Sequence, residues 1–247
     1  MTTPSPKSWK YRPYPGYDLP LQERLSSFQR RPEFLVFVLR ILSAIVLRFW
    51  LRFYHRFRVE GRENLPRKGS FILVANHASH LDVLCLLSAM PLRRLHQTYP
   101  AGAADYFFSS LPRSLAAATF ANALPFDRKK DSAASLEACQ QVLAKPGSVL
   151  ALFPEGTRAP DGKMGRFRSG IGRLAAGQEF PVVPCYLEGA GRAWPKGRRL
   201  PLPGRLLLRI GQPQHFKGTP PSRQGARDIA GDLQGAVADL AETRMGK

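Results

Sequence analysis

The feature that most constrains this chain is a short apolar run, Phe71-Ile72-Leu73-Val74-Ala75, that breaks off at Asn76-His77, with a second apolar run of helical spacing starting just after Ser79. A continuous run of this length reads as a buried strand, so a strand is expected to end at a histidine. Ser148-Val149-Leu150-Ala151-Leu152-Phe153 repeats the pattern and ends in Pro154-Glu155-Gly156-Thr157-Arg158, a second strand end that presents charged residues. Further strands are expected near 58–66, 96–99, 122–128, 181–187 and 205–210. Helices are expected at 79–90, 103–110, 113–120, 131–144, 171–176 and 223–243, the fourth stopped by Lys145-Pro146-Gly147. Alternating strands and helices of this kind predict an α/β fold, a mostly parallel central sheet flanked by helices.

Strand-to-helix turns at the edge of such a sheet let side chains leave the packed scaffold and still be held firmly. A histidine there has a use, because its unperturbed pKa of about 6.5 suits proton exchange near neutrality. Asp82, five positions after His77, is about 140° further round an ideal helix, so the two meet only if His77 precedes the helix and Asp82 sits in its first turn. Ser79 and Asp82 also form a capping-box-like start, which gives Asp82 a structural alternative. His80 is a rival base, and spacing alone does not choose between the two histidines.

The segment 34–57, FLVFVLRILSAIVLRFWLRFYHRF, is apolar but interrupted by Arg40, Arg48, Arg52 and Arg56. On a helix these four fall within roughly 160° of one another, a basic face opposite Leu, Ile, Val and Phe. The longest charge-free run there is seven residues, short of the ~20 needed to span a bilayer. The pattern predicts an amphipathic helix in the membrane interface, with its arginines toward anionic headgroups. Three regions follow: a flexible basic arm at 1–20, an N-terminal membrane-associating helical segment at 21–57, and a catalytic domain at 58–247 that closes on a helix.

A formal net charge of +19 implies an anionic partner: nucleic acid, lipid headgroups or phosphorylated substrates. No zinc-finger spacing, helix-turn-helix cue or RNP-like aromatic motif accompanies that charge, so no nucleic-acid partner is expected. Cys85, Cys139 and Cys185 are odd in number and far apart in apolar contexts, which suits reduced buried thiols in a cytosolic compartment rather than disulfides or a metal site. Some thirty mostly polar residues precede the first apolar run, so no secretory signal is expected.

Four blocks in order resemble the glycerolipid acyltransferases of the PlsC-like class. Asn76-His77 through Asp82 is similar to that family's HxxxxD block, and Phe153-Pro154-Glu155-Gly156-Thr157-Arg158 to its FPEGTR block. Leu124-Pro125-Phe126-Asp127-Arg128 resembles the second block and Val182-Val183-Pro184-Cys185-Tyr186 the fourth. The resemblance implies a glycerol-3-phosphate acyltransferase-like fold, with His77 as general base and Asp82 orienting its imidazole. It also implies Arg128 and Arg158 as phosphate contacts and Glu155, Gly156 and Thr157 as pocket residues for the acceptor. Lys163, Arg166 and Arg168 could add a basic rim.

The implied reaction moves a fatty acyl group from acyl-CoA or acyl carrier protein to the free hydroxyl of a lysophospholipid, foremost 1-acyl-sn-glycerol-3-phosphate, giving phosphatidic acid. No metal and no cofactor beyond that co-substrate are implied, and the enzyme is expected on the cytoplasmic face of the inner or plasma membrane. Another lysolipid acceptor is the alternative, because the second block opens with Asn122 where much of the family has Gly, and acceptor choice is associated with that block.

Overall fold

The computed structural model describes residues 34–103, 122, 124–126, 132–159, 164–195 and 197–243. The 1–20 arm, the start of the 21–57 segment, most of the helices expected at 103–110 and 113–120, and Asp127-Arg128 lie outside the described residues.

Helix α1 (Phe34–Tyr54) leads into β1 (Arg58–Glu60) and β2 (Phe71–Ala75), then α2 (Leu81–Ala89) and β3 (Thr98–Ala103). Next come β4 (Leu124–Phe126), α3 (Ser132–Leu143), β5 (Val149–Leu152), α4 (Gly170–Ala175) and β6 (Val182–Glu188). The short α5 (Ala190–Ala193), β7 (Leu207–Ile210) and α6 (Arg223–Glu242) complete the order. The seven strands form one sheet in the order β1-β7-β6-β2-β5-β3-β4. Neighbours are parallel throughout except β6 and β7, which are antiparallel.

The unbroken apolar runs are explained by cover on both faces. Along β2, Phe71, Leu73 and Ala75 enter a cluster with Leu51 of α1 and Leu81, Cys85 and Leu86 of α2. The alternate residues Ile72 and Val74 enter a second cluster with Cys139 of α3, Ile171 of α4 and Ile229 and Leu233 of α6. Side chains alternate across a strand, so a run apolar at every position marks a strand buried on both sides. Helix α6 starts at Ser222, whose side chain accepts from the Gly225 amide. It packs so closely on α4 that a Cβ at Gly172 would lie 2.0 Å from the Ala226 carbonyl oxygen.

The amphipathic helix forms over Phe34–Tyr54, but of the four arginines expected toward headgroups only Arg52 and Arg56 are exposed, Arg56 beyond the helix end. Arg40 is buried, and Arg48 donates from Nε to the Ser88 carbonyl at 3.1 Å and from Nη2 to the Met90 carbonyl. Those carbonyls close the C-terminal end of α2, where a helix lacks partners and favours cations. Two of the arginines therefore face the domain, while Leu35, Leu39, Leu42, Val46, Phe49 and Phe53 form an exposed apolar stripe. With 21 residues, α1 is by length and composition able to cross a membrane.

Asn122 accounts for the departure in the second block. Its φ is +51°, in the left-handed region that glycine enters freely and asparagine tolerates. The side chain accepts from Arg40 at 3.4 Å and donates to the carbonyls of His96 and Thr98 at 3.1 and 3.3 Å. Asparagine thus keeps a glycine-type backbone and ties α1 to the start of β3.

Candidate active site

Register brings the two motif-bearing strand ends together. Val74 of β2 pairs with Leu152 of β5, so His77 and Glu155, each three residues further on, leave the sheet at the same level. On the other side, the Asn76 side chain donates to the Leu187 carbonyl at 3.0 Å and accepts from the Leu187 amide at 2.7 Å. Its amide replaces the next backbone rung between β2 and β6, which lets the main chain turn away and carry His77 off the sheet.

His77 is fixed from four directions. Its amide donates to Glu155 Oε1 at 2.7 Å, and its carbonyl accepts from the Ala159 amide at 2.8 Å. Its ring stacks on Phe153 with centroids 4.2 Å apart and planes 18° from parallel. Its Nδ1 lies 2.8 Å from Asp82 Oδ2, which also accepts from the amides of Ala78 and Ser79 at 2.7 and 2.8 Å. An ionised carboxylate only accepts, so the shared bond places the imidazole proton on Nδ1 and the lone pair on Nε2. No hydrogen bond to Nε2 forms among the described residues, and the His77 side chain keeps 9% of its surface exposed. That combination, an oriented imidazole with one basic nitrogen open, is what proton abstraction from a bound hydroxyl needs.

Glu155 bridges two segments: Oε1 holds the His77 amide and Oε2 accepts from Gly165 at 2.8 Å. Burial pushes its carboxyl above the usual carboxylate range, opposed by those two amide bonds. Gly156 has φ +76°, a conformation that favours glycine, and its Cα faces the Arg168 guanidinium, which a Cβ would approach to 2.8 Å. Thr157 is exposed and Arg158 half-buried.

His80 faces elsewhere. Its ring lies 5.5 Å from that of Trp194, and burial, with the charges of Arg158 and His77, holds its pKa down to about 4. Arg128 lies outside the described residues, as does Lys163. Asn76, Phe153 and Gly165 are site residues that pattern reading did not single out. Asn76 at a strand end and Phe153 at the head of the second charged turn were visible signals, whereas nothing in the sequence marks Gly165. All three cysteines are free and buried.

A family model described as Acyltransferase matches residues 56–188 of this chain. The chain belongs to that acyltransferase family. It is 33% identical over 147 residues to the chloroplastic 1-acyl-sn-glycerol-3-phosphate acyltransferase BAT2 of Brassica napus, covering 58% of this chain and 40% of that one. It is 30% identical over 197 residues to the 1-acyl-sn-glycerol-3-phosphate acyltransferase of Pseudomonas aeruginosa, covering 76% and 68%. The chain spans about 40% of the length of the two chloroplastic relatives it matches in Brassica napus and Arabidopsis thaliana. Among solved structures it shares the fold of the 1-acyl-sn-glycerophosphate acyltransferase PlsC from Thermotoga maritima, with a TM-score of 0.64, 24% identity, and coverage of 91% of this chain and 88% of that one.

Proposed function

We propose that this acyltransferase moves a fatty acyl group from a thioester of coenzyme A or acyl carrier protein to the free hydroxyl of 1-acyl-sn-glycerol-3-phosphate, giving phosphatidic acid. The observation that carries the reading is the bond between Nδ1 of His77 and Oδ2 of Asp82, which leaves Nε2 as the base. Nε2 takes the hydroxyl proton as the oxygen attacks the thioester carbonyl. The tetrahedral adduct then expels the thiolate, which collects that proton and departs as the thiol. Asp82 stabilises the transient imidazolium, the role of the third member in a Ser-His-Asp triad, with the acceptor hydroxyl standing where the serine would. Arg158, with Arg128, holds the acceptor phosphate through forked contacts that suit phosphate oxygens. The names of the relatives support the acceptor, and the apolar stripe of α1 supports a site at the membrane; the cytoplasmic face is part of the proposal.

The test supplies the purified chain with acyl-CoA or acyl carrier protein and a mixed lysolipid extract, then identifies products by mass spectrometry. Phosphatidic acid is the expected product; acylation confined to phosphate-free acceptors would refute the assignment. His77→Ala should lower turnover by at least ~10² to 10⁴-fold without changing the melting temperature or vesicle binding.

A further inference from the structure

A second polar cleft of about 570 Å³ lies between α6 and the segment that follows the Glu155 turn. It is lined by three exposed arginines, Arg166, Arg168 and Arg227, with Ser169 and Gln234 beside them. None of the three arginines forms an ion pair with a carboxylate among the described residues. The one acid in the lining is Glu155, whose oxygens already accept from His77 and Gly165. Gln234 uses its carbonyl oxygen to accept from the Phe167 amide at 2.9 Å, which leaves its NH₂ as a donor. Like charges brought together around a concavity raise its positive potential and favour an anion. Guanidinium forks suit phosphate oxygens in particular, and the volume is that of a small-molecule site rather than a protein-docking face.

The place of the cleft decides which phosphate. His77, Asp82 and Arg158 do not line it; it adjoins the acceptor side through Glu155, which holds the His77 amide, and through the Arg168 guanidinium beside Gly156. The acceptor carries its phosphate ester on the carbon next to the one bearing the attacking hydroxyl, so that phosphate must sit close to His77. A coenzyme A thioester carries its phosphates at the far end of a long pantetheine arm, which permits a separate phosphate site. We propose that this cleft binds the phosphates of a coenzyme A thioester, with Arg166, Arg168 and Arg227 as its ligands. The proposal rests on the acyl-transfer reading of His77.

Gly231 gives a clean probe. It lines the cleft from within α6, and a Cβ there would meet nothing within 4 Å, so a side chain is admitted without a clash. Binding of coenzyme A and of pantetheine to the full chain would be measured by calorimetry for the wild type, Arg227→Ala, Gly231→Glu and the control Gly231→Ala. Losing one charged contact should weaken coenzyme A binding by about 10- to 100-fold. Gly231→Glu should do the same by repulsion. Gly231→Ala should bind normally, and pantetheine, which lacks the phosphates, should be insensitive to all three. In turnover the KM for acyl-CoA should rise while that for the lysophosphatidate stays constant.

Unchanged coenzyme A affinity in both Arg227→Ala and Gly231→Glu overturns the proposal. So does a rise in the acceptor KM instead, or a defect seen with acyl carrier protein and not with coenzyme A. Arginine-dependent coenzyme A binding by a chain that transfers acyl groups to no acceptor would leave the cleft standing and remove the proposed function.

Discussion

At the scale of the residue, Asp82 does two jobs with one atom. Oδ2 receives the amides of Ala78 and Ser79, which begin the turn into α2, and the imidazole of His77. Removing the negative charge while keeping the shape separates the roles. Asp82→Asn still offers an oxygen to the two amides, so its melting temperature should change little while turnover falls by roughly 10² to 10⁴-fold. Asp82→Ala should lose turnover equally and also about 1–3 kcal/mol of stability, because two buried amides lose their acceptor. Near-normal turnover in Asp82→Asn, measured beside its melting curve, would reduce the carboxylate to a cap. Spacing allowed one carboxylate to face both the helix start and the imidazole, but it does not show that both meet the same oxygen, as Oδ2 does here. Ser79, expected as part of the cap, accepts only weakly from Leu81 at 3.2 Å and donates to the Trp194 carbonyl at 2.8 Å. That partner is 115 residues away, beyond the reach of any local pattern.

At the scale of the element, α1 shows what periodicity does and does not carry. The spacing of its residues marked an amphipathic helix but not how the arginines divide: Arg40 and Arg48 meet the domain, while Arg52 is exposed and Arg56 lies beyond the helix end. That division depends on carbonyls presented by the end of α2 and on the Asn122 amide, both remote in sequence. A guanidinium with fixed carbonyl partners is better inside than an apolar side chain without a matching pocket, so the apolar stripe is left to face outward. We expect this stripe to be the membrane contact. Val46, Phe49 and Phe53 are 67, 60 and 74% exposed, so replacing all three with Asp should leave the melting temperature within a degree or two. Each side chain contributes on the order of 2 kcal/mol when transferred from water to lipid. Vesicle partitioning of the triple variant should therefore fall by at least about a thousandfold in a flotation assay. Undiminished flotation would mean that α1 is not the anchor.

At the scale of the whole molecule, the charge of +19 constrains the class of partner without locating it. Part of that charge is turned inward: Arg94 donates to the carbonyls of Pro66, Gly69 and Gly147 and lies over Phe71, a staple beneath β2. Arg40 and Arg48 are likewise engaged with the domain, whereas Arg166, Arg168 and Arg227 line the cleft. The parallel sheet was legible because strands buried on both faces are apolar at every position. The antiparallel β7 was not, since direction depends on how the 192–206 connection returns, and nothing local encodes that. The same distribution separates adventitious polyanion binding from membrane association. Contacts made only through exposed cations release counterions, and their affinity falls by about 10³ to 10⁵-fold between low and moderate salt when six to ten phosphates are engaged. Burial of an apolar stripe is not screened, and excluded salts strengthen it. The full chain should therefore float with zwitterionic vesicles equally well at about 0.05 and 0.5 M sodium chloride, while any retention on duplex DNA disappears over the same range. If vesicle binding instead vanished in step with DNA binding, the association would be electrostatic, and the outward stripe of α1 would need another occupant.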